Sequence, residues 1–395
     1  MSTLTYPGVY VEEVPGGMRA ITGVQTSVTA FIGTSGGGAL NQPVHLLTFA
    51  DFELNCGGLT PERELGYSVR QFFLNGDIEA WVVRVPDNPT EDHWRDGIRA
   101  LDSVDLFNLL VLPGVTMPSL VMAATEYCEK RRAFLIVDSP REAETPDEIR
   151  QRVESGELTR SRNAAVYYPW IRIADPLNNA SPRLSPPDGT VAGLIARTDA
   201  TRGVWKAPAG TEAALNGVTT LEYQLTDTEN GLLNPRGINC LRRFPLSGIV
   251  AWGARTLAGD DRLASEFKYI PVRRTAMYIE DSVIRSIKWA ELEPNAEPLW
   301  AQLRLNIGAF MHKLFRQGAF QGQVPRDAYF VRCDAETTSQ TDIDAGVVNV
   351  VIGFAPLKPA EFVVIKIQQI PPKVQTEHPA PQLLVGTKQP FELSH

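Results

Sequence analysis

Two hydrophobic periods alternate along this chain. Short apolar runs at residues 28–33, 80–85 (AWVVRV), 108–112 (NLLVL) and 133–138 (AFLIVD) read as buried strands. Between them, apolar residues recur three and four apart, the mark of amphipathic helices. Residues 64–75 carry Leu65, Val69, Phe72 and Phe73 on one face and stop at Asn75-Gly76. A second helix holds Trp94, Ile98 and Leu101, and a third spans about 119–131. Asp51 can cap a short helix beginning at 51–54, and residues 164–168 and 170–174 read as strands. This alternation predicts an α/β sheet in the middle of the chain. Residues 141–162 read as a solvated helix or surface excursion, 175–188 as a loop, 191–202 as a helix, and 205–245 as irregular.

The last third changes character. Residues 249–252 read as a strand and 272–284 as a helix. The strongest helix is 298–316. Pro298 suits its first turn, Leu299, Trp300, Leu303, Ile307, Phe310, Met311, Leu314 and Phe315 form one stripe, and Gly318 ends it. Strands follow at 328–332, 347–353 and 361–370. Past Pro371 the chain turns proline-rich and loses periodicity, so order there is expected only with a partner. At the other end, Val9, Val11 and Val14 alternate with Tyr10 and two glutamates between Pro7 and Pro15, an extended segment with no partner nearby in sequence. A free strand exposes backbone N–H and C=O groups that template pairing. Such an end either closes onto its own domain or adds to another chain's sheet.

Composition narrows the functional classes. A chain of 395 residues with 43% hydrophobic content supports two or three folded domains. A net charge of −8 disfavours bulk attraction to nucleic acid or anionic membrane. No run of 18 apolar residues is present, so no membrane insertion is expected. The first residues lack the basic start and apolar block of a signal peptide, which predicts a product made and kept in the cytoplasm. Cys56, Cys128, Cys240 and Cys333 lie far apart and read as buried thiols.

No catalytic or cofactor signature survives inspection. The run GTSGGGAL (33–40) follows a strand but lacks the Gly-Lys-Ser/Thr ending of a phosphate loop, and Pro43 follows. Asp138-Ser139 ends a strand where α/β active sites often sit, yet no GxSxG elbow surrounds Ser139. The five histidines have no metal spacing, and Glu12-Glu13 and Asp260-Asp261 are adjacent pairs that would point apart in extended backbone. The expectation is therefore no catalytic residue, no metal and no cofactor. Arg304, His312, Lys313 and Arg316 lie off the apolar stripe of the long helix. They either complement its dipole or form a basic patch that docks an acidic partner.

The order of several motifs resembles the tail sheath proteins of contractile phage tails, R-type bacteriocins and contractile injection systems. The likeness runs through TYPGVYVEEVPGG (5–17), TGVQTSVTAFIGTS (22–35), FFLNGDIEAWVVRV (72–85), GVWKAPAG (203–210) and LLNPRGINCLRRFP (232–245). It is densest in AWGARTL (251–257), YIPVRR (269–274), EPNAEPLW (293–300), RQGAFQG (316–322) and PLKPAEFVVIKI (356–367). The resemblance implies a mixed α/β and α+β fold: an inner domain built from both chain ends (1–20 and 246–370), an inserted outer α/β domain (21–245) and a C-terminal tail (371–395). It implies terminal strands exchanged between copies, here Tyr6, Val9, Tyr10, Val11 and Val14 at one end and Phe362, Val364, Ile365 and Ile367 at the other. It places the 298–318 helix against an inner tube, with Arg304, His312, Lys313 and Arg316 as a tube-facing basic patch. The implied partners are other copies in hexameric rings, the tube protein, and baseplate and tail terminator or cap proteins. The implied location is the producing bacterium's cytoplasm during assembly, then a virion tail or released particle. Two alternatives stay open: a soluble α/β enzyme, and a non-contractile tail or baseplate subunit.

Overall fold

The computed structural model describes residues 19–76 and 78–361. Its centre is an eight-stranded sheet. The strands, in chain order, are β1 (Thr29–Gly33), β2 (Pro43–Leu46), β3 (Ala80–Arg84), β4 (Leu109–Val111), β5 (Phe134–Asp138), β6 (Ala164–Tyr168), then β7 (Ile171–Ala174), β8 (Pro182–Ser185) and β9 (Val218–Leu221) of a separate small sheet, and β10 (Ile238–Phe244) and β11 (Gly248–Ala251). The large sheet runs β11-β10-β6-β5-β4-β1-β3-β2, and the small one β8-β7-β9. The six central strands of the large sheet are parallel, and β2 and β11 close its edges antiparallel. The chain steps from β1 outward to β3, then crosses back to β4 and on through β5 and β6, a doubly wound topology.

Helices α1 (Phe49–Cys56), α2 (Glu64–Gly76), α3 (Glu91–Ala100), α4 (Pro118–Arg131), α5 (Pro146–Glu154), α6 (Asp188–Arg202) and α7 (Asp227–Leu233) cover the sheet. Strand alternation sorts side chains into two cores. Phe31, Phe134 and Ile136 face α2 and α6, whereas Ile32, Leu135 and Val137 face α3, α4 and α5. Helices α2 and α6 cross at backbone distance. A Cβ on Gly189 would lie 2.2 Å from the Ser68 carbonyl oxygen, and one on Gly193 would lie 2.5 Å from that of Phe72. Only glycine permits this approach. Reciprocal capping boxes fix the starts of α1, α3, α5 and α7 through Thr48, Thr90, Thr145 and Thr226.

A third core lies beyond the sheet. It is built by α8 (Ile270–Ser286), α9 (Glu297–Arg316), the single turn α10 (Pro325–Ala328), β12 (Tyr329–Arg332), α11 (Gln340–Asp344) and β13 (Val351–Phe354). Ile21, from the start of the described chain, joins Ile279, Val283, Leu303 and Ile307 there. Helix α8 belongs to both parts: Ile270 and Met277 pack with the sheet core, and Ile279 and Val283 with the third. Ion pairs, one of them fully buried, fix the junction. Arg274 meets Asp199 at 2.6 Å with both side chains 4% exposed, and Arg132 meets Asp281 at 2.6 Å. Ser27 donates to the same Asp199 carboxylate at 2.7 Å.

The expected strands at 28–33, 80–85, 108–112 and 133–138 are present, as are the helices at 64–75, 191–202, 272–284 and 298–316, with ends shifted by a few residues. The segment read as a loop contains β8, and the segment read as irregular contains β9, α7 and β10. The 245/246 boundary falls inside the hairpin of β10 and β11, both strands of the large sheet.

Candidate assembly surface

Helix α9 carries the third core on one face and an open surface on the other. Leu299, Trp300, Leu303, Ile307, Phe310, Met311 and Leu314 are buried as the stripe predicts. Phe315 is half-buried, beside Tyr329 at 6.4 Å between ring centres. The opposite face shows Ala301, Leu305 and Ala309, then His312, Lys313 and Arg316. Leu305 is 55% exposed, and a Cβ on Gly308 would meet nothing within 4 Å. The outer face is therefore apolar and narrow over its first turns and cationic over its last. Ala301, Leu305 and Ala309, four residues apart, form the face complementary to the stripe, a spacing visible in the sequence itself.

The four cationic positions do not behave alike. Arg304 donates to the Glu297 carboxylate and to the Cys333 carbonyl, which ties α9 to the segment after β12. His312 Nδ1 lies 3.2 Å from the Tyr329 hydroxyl. Lys313 and Arg316 are exposed, one turn apart, and form no ion pair among the described residues. The structure thus brings His312, Lys313 and Arg316 together and sets Arg304 apart, eight residues from the nearest of them, about 12 Å along the axis.

Against α9 stands a two-stranded antiparallel ribbon. Tyr329 pairs Phe354, Phe330 pairs Gly353, Val331 pairs Ile352 and Arg332 pairs Val351. Phe320 holds its inner face, 6.2 Å from Tyr329 and 5.4 Å from Phe354 between ring centres. Among the described residues neither outer edge of this ribbon has a strand partner. Phe330 is 48% exposed and Val351 44%. The predicted arm residues Tyr6, Val9, Tyr10, Val11, Val14, Phe362, Val364, Ile365 and Ile367 lie outside the described residues.

The sheet's C-terminal end, where α/β folds place ligands, is filled by protein. Gly37 donates to the Cys56 carbonyl at 2.9 Å, a Cβ on Gly57 would lie 2.8 Å from Gly36, and the Arg63 guanidinium caps the Ser35 carbonyl. The glycines of the GTSGGG run serve this close contact between two loops. Asp138 and Ser139 are buried, at 2% and 0% exposure. Burial first, then the neighbouring Asp188 carboxylate, pushes the Asp138 carboxyl well above the usual carboxylate range. Burial also raises Asp188, although Ser68 donates to it at 2.7 Å. The two acids share an enclosed polar cluster rather than an open cleft.

Comparison with known proteins places this geometry. The family profile described as phage tail sheath protein central domain matches residues 87–257, and that of the phage tail sheath C-terminal domain matches residues 264–370. A prophage major tail sheath protein of Pseudomonas aeruginosa (strain UCBPP-PA14) is 29% identical over 277 residues, covering 68% of this chain and 67% of that protein. The sheath complex of an extracellular contractile injection system, PVC, in its contracted state is 30% identical with a TM-score of 0.77, covering 93% of this chain and 99% of that one. A chain in the contracted baseplate of the anti-feeding prophage is 30% identical with a TM-score of 0.76, covering 93% and 100%.

Proposed function

This chain belongs to the contractile tail sheath family and is a structural subunit of a contractile helical sheath; from that premise we propose how its parts divide the work. The α9 outer face rests on an inner tube, with Leu305 and the small residues in close contact and Lys313 and Arg316 facing acidic groups. The β12–β13 ribbon accepts strands from neighbouring copies, supplied by residues 6–14 and by the segment after Glu361. The inner part is built from both chain ends, and the doubly wound body stands outside it. Copies stack as hexameric rings, assembled in a bacterial cytoplasm, with baseplate and terminator proteins at the two ends.

The observation that carries this reading is the open ribbon. Two strands alone are marginal in water, and main-chain pairing with another copy completes them directionally. Head-to-tail contacts that do not close on themselves generate a helix. Strand exchange then keeps copies tethered while their bodies move. Contraction draws on better contacts between bodies in the shortened lattice and uses no nucleotide. Shifting one two-state unit from about 1:99 to 99:1 takes roughly 5.5 kcal/mol, and a coupled lattice spreads that requirement over its copies.

Negative-stain imaging of the purified chain tests the reading. Wide, striated cylinders are expected. Compact particles alone, at every concentration and salt, would contradict it and return the α/β enzyme to consideration.

A further inference from the structure

A cavity of about 200 Å³ opens at the C-terminal end of α6. Its chemistry is cationic. Arg197 and Arg202 come from the helix, Lys206 from the turn after it, and Thr198, Thr201 and Glu212 complete the polar lining. Arg202 meets Glu212 in an exposed ion pair. The other two cations have no carboxylate partner among the described residues. Arg197 donates to the Asn75 carbonyl at 3.0 Å and to the Ala214 carbonyl. Lys206 Nζ reaches the Ala207 carbonyl at 3.0 Å. Three cations face one carboxylate. The end of a helix dipole offsets about half a charge, which leaves a surplus in a half-buried pocket.

The pocket is also built rather than loose. Val204 is 3% exposed, and Trp205 packs against the third core, so the turn bearing Lys206 is anchored on both sides of the junction. On the far wall, Gly210 N donates to the Ala251 carbonyl and Leu215 N to that of Ile249, each at 2.9 Å, fixing residues 210–215 to the edge of β11.

We propose that this pocket receives a carboxylate side chain from a second copy of the chain. The inference rests on the sheath reading, which makes other copies the neighbours of every outer surface. Charge selects the occupant. The chain carries 46 acidic against 38 basic residues, so a neighbouring copy brings an excess of carboxylates. Complementary charges across an interface fix the register between partners.

The test compares wild type, Lys206→Glu, Lys206→Gln and Lys206→Arg for the subunit concentration at which cylinders appear, with the melting temperature of the unassembled chain as the folding control. Lys206→Glu is expected to raise that concentration by at least about tenfold, Lys206→Gln by less, and Lys206→Arg to restore assembly, with melting unchanged. Wild-type assembly by both Lys206→Glu and Lys206→Gln would overturn the proposal. Should Lys206→Glu fail to fold, Lys206→Gln decides alone. Inorganic phosphate is the competing probe: phosphate that binds the free chain at Lys206 without shifting assembly also overturns it. If wild type itself forms no cylinders, the sheath reading fails first. If wild type assembles and the variants match it, only the pocket assignment fails.

Discussion

The molecule contains two sheets that treat their edges in opposite ways. The eight-stranded sheet is finished within the chain. Residues 210–215 bond along β11, with Ala251 N donating to the Ala213 carbonyl at 3.1 Å, and β2 at the other edge is four residues long and begins with Pro43. Short strands and proline are the usual protections of an edge. The strands of the β12–β13 ribbon are equally short, but neither contains proline, and among the described residues no strand pairs with the ribbon's outer sides, where Phe330 and Val351 are exposed. Backbone that one part of a chain satisfies for itself, another part leaves for a partner. The protected sheet is a scaffold; the open one is the surface to which the proposed function assigns the contacts between copies.

The comparison breaks most sharply at the chain's N-terminus. Removing residues 1–14 is expected to abolish cylinders in electron micrographs while leaving the melting temperature of the free subunit in place; normal sheaths from the truncated chain would assign the ribbon's partner elsewhere. Next in size is Leu303→Ala. Leu303 is 2% exposed beneath the ribbon, and its truncation should cost about 2–5 kcal/mol in denaturant unfolding. A loss under half of that lower bound would mean that α9 does not carry the third core. Inside the scaffold, Gly193→Ala places a Cβ against the Phe72 carbonyl and should cost about 1–3 kcal/mol; an unchanged midpoint would show that α2 and α6 separate without penalty.

A smaller effect separates the scaffold by pH. Asp138 and Asp188 face each other with raised pKa values, Gly114 N donating to the first and Ser68 to the second. Glu64, itself raised by burial and paired with Arg183, stands close by. The folded chain holds a proton that the unfolded chain releases above the ordinary carboxylate range. That contribution is therefore complete below the unfolded pKa and is lost as pH rises through the folded one. Asp138→Asn should flatten this alkaline decline in melting temperature; an unaltered pH profile would contradict the shared proton. Smallest for stability is the pair Lys313→Glu and Arg316→Glu, expected within about 0.5 kcal/mol of wild type. Their effect should fall instead on co-sedimentation with tube protein at low salt, and unchanged co-sedimentation would return both residues to the helix dipole.

Periodicity made the long elements legible. The stripe of α9 and the apolar runs of β1, β3, β4 and β5 declare themselves because burial on one side or both dictates their pattern. The missed strands were of another kind. β2 (PVHL), β8 (PRLS) and β9 (VTTL) have four residues each, and tertiary pairing rather than composition makes them strands. β10 hides its nature behind Asn239, whose buried amide bridges the Val166 and Arg255 carbonyls. The Thr226–Glu229 spacing is the one sequence signal that marks the start of α7, as a capping box. On the candidate surface the charges of α9 could be read, but Arg304 had to be seen beside Glu297 and Cys333 to be recognised as internal. The openness of the ribbon could not be read, because an edge is defined by what fails to lie next to it.

Amide hydrogen exchange on free subunits and on assembled cylinders tests that openness directly. The account predicts that amides of β12 and β13 gain strong protection on assembly while those of β1, β4 and β5 barely change. Ribbon amides already protected in the free subunit, or left unprotected in the cylinder, would contradict it.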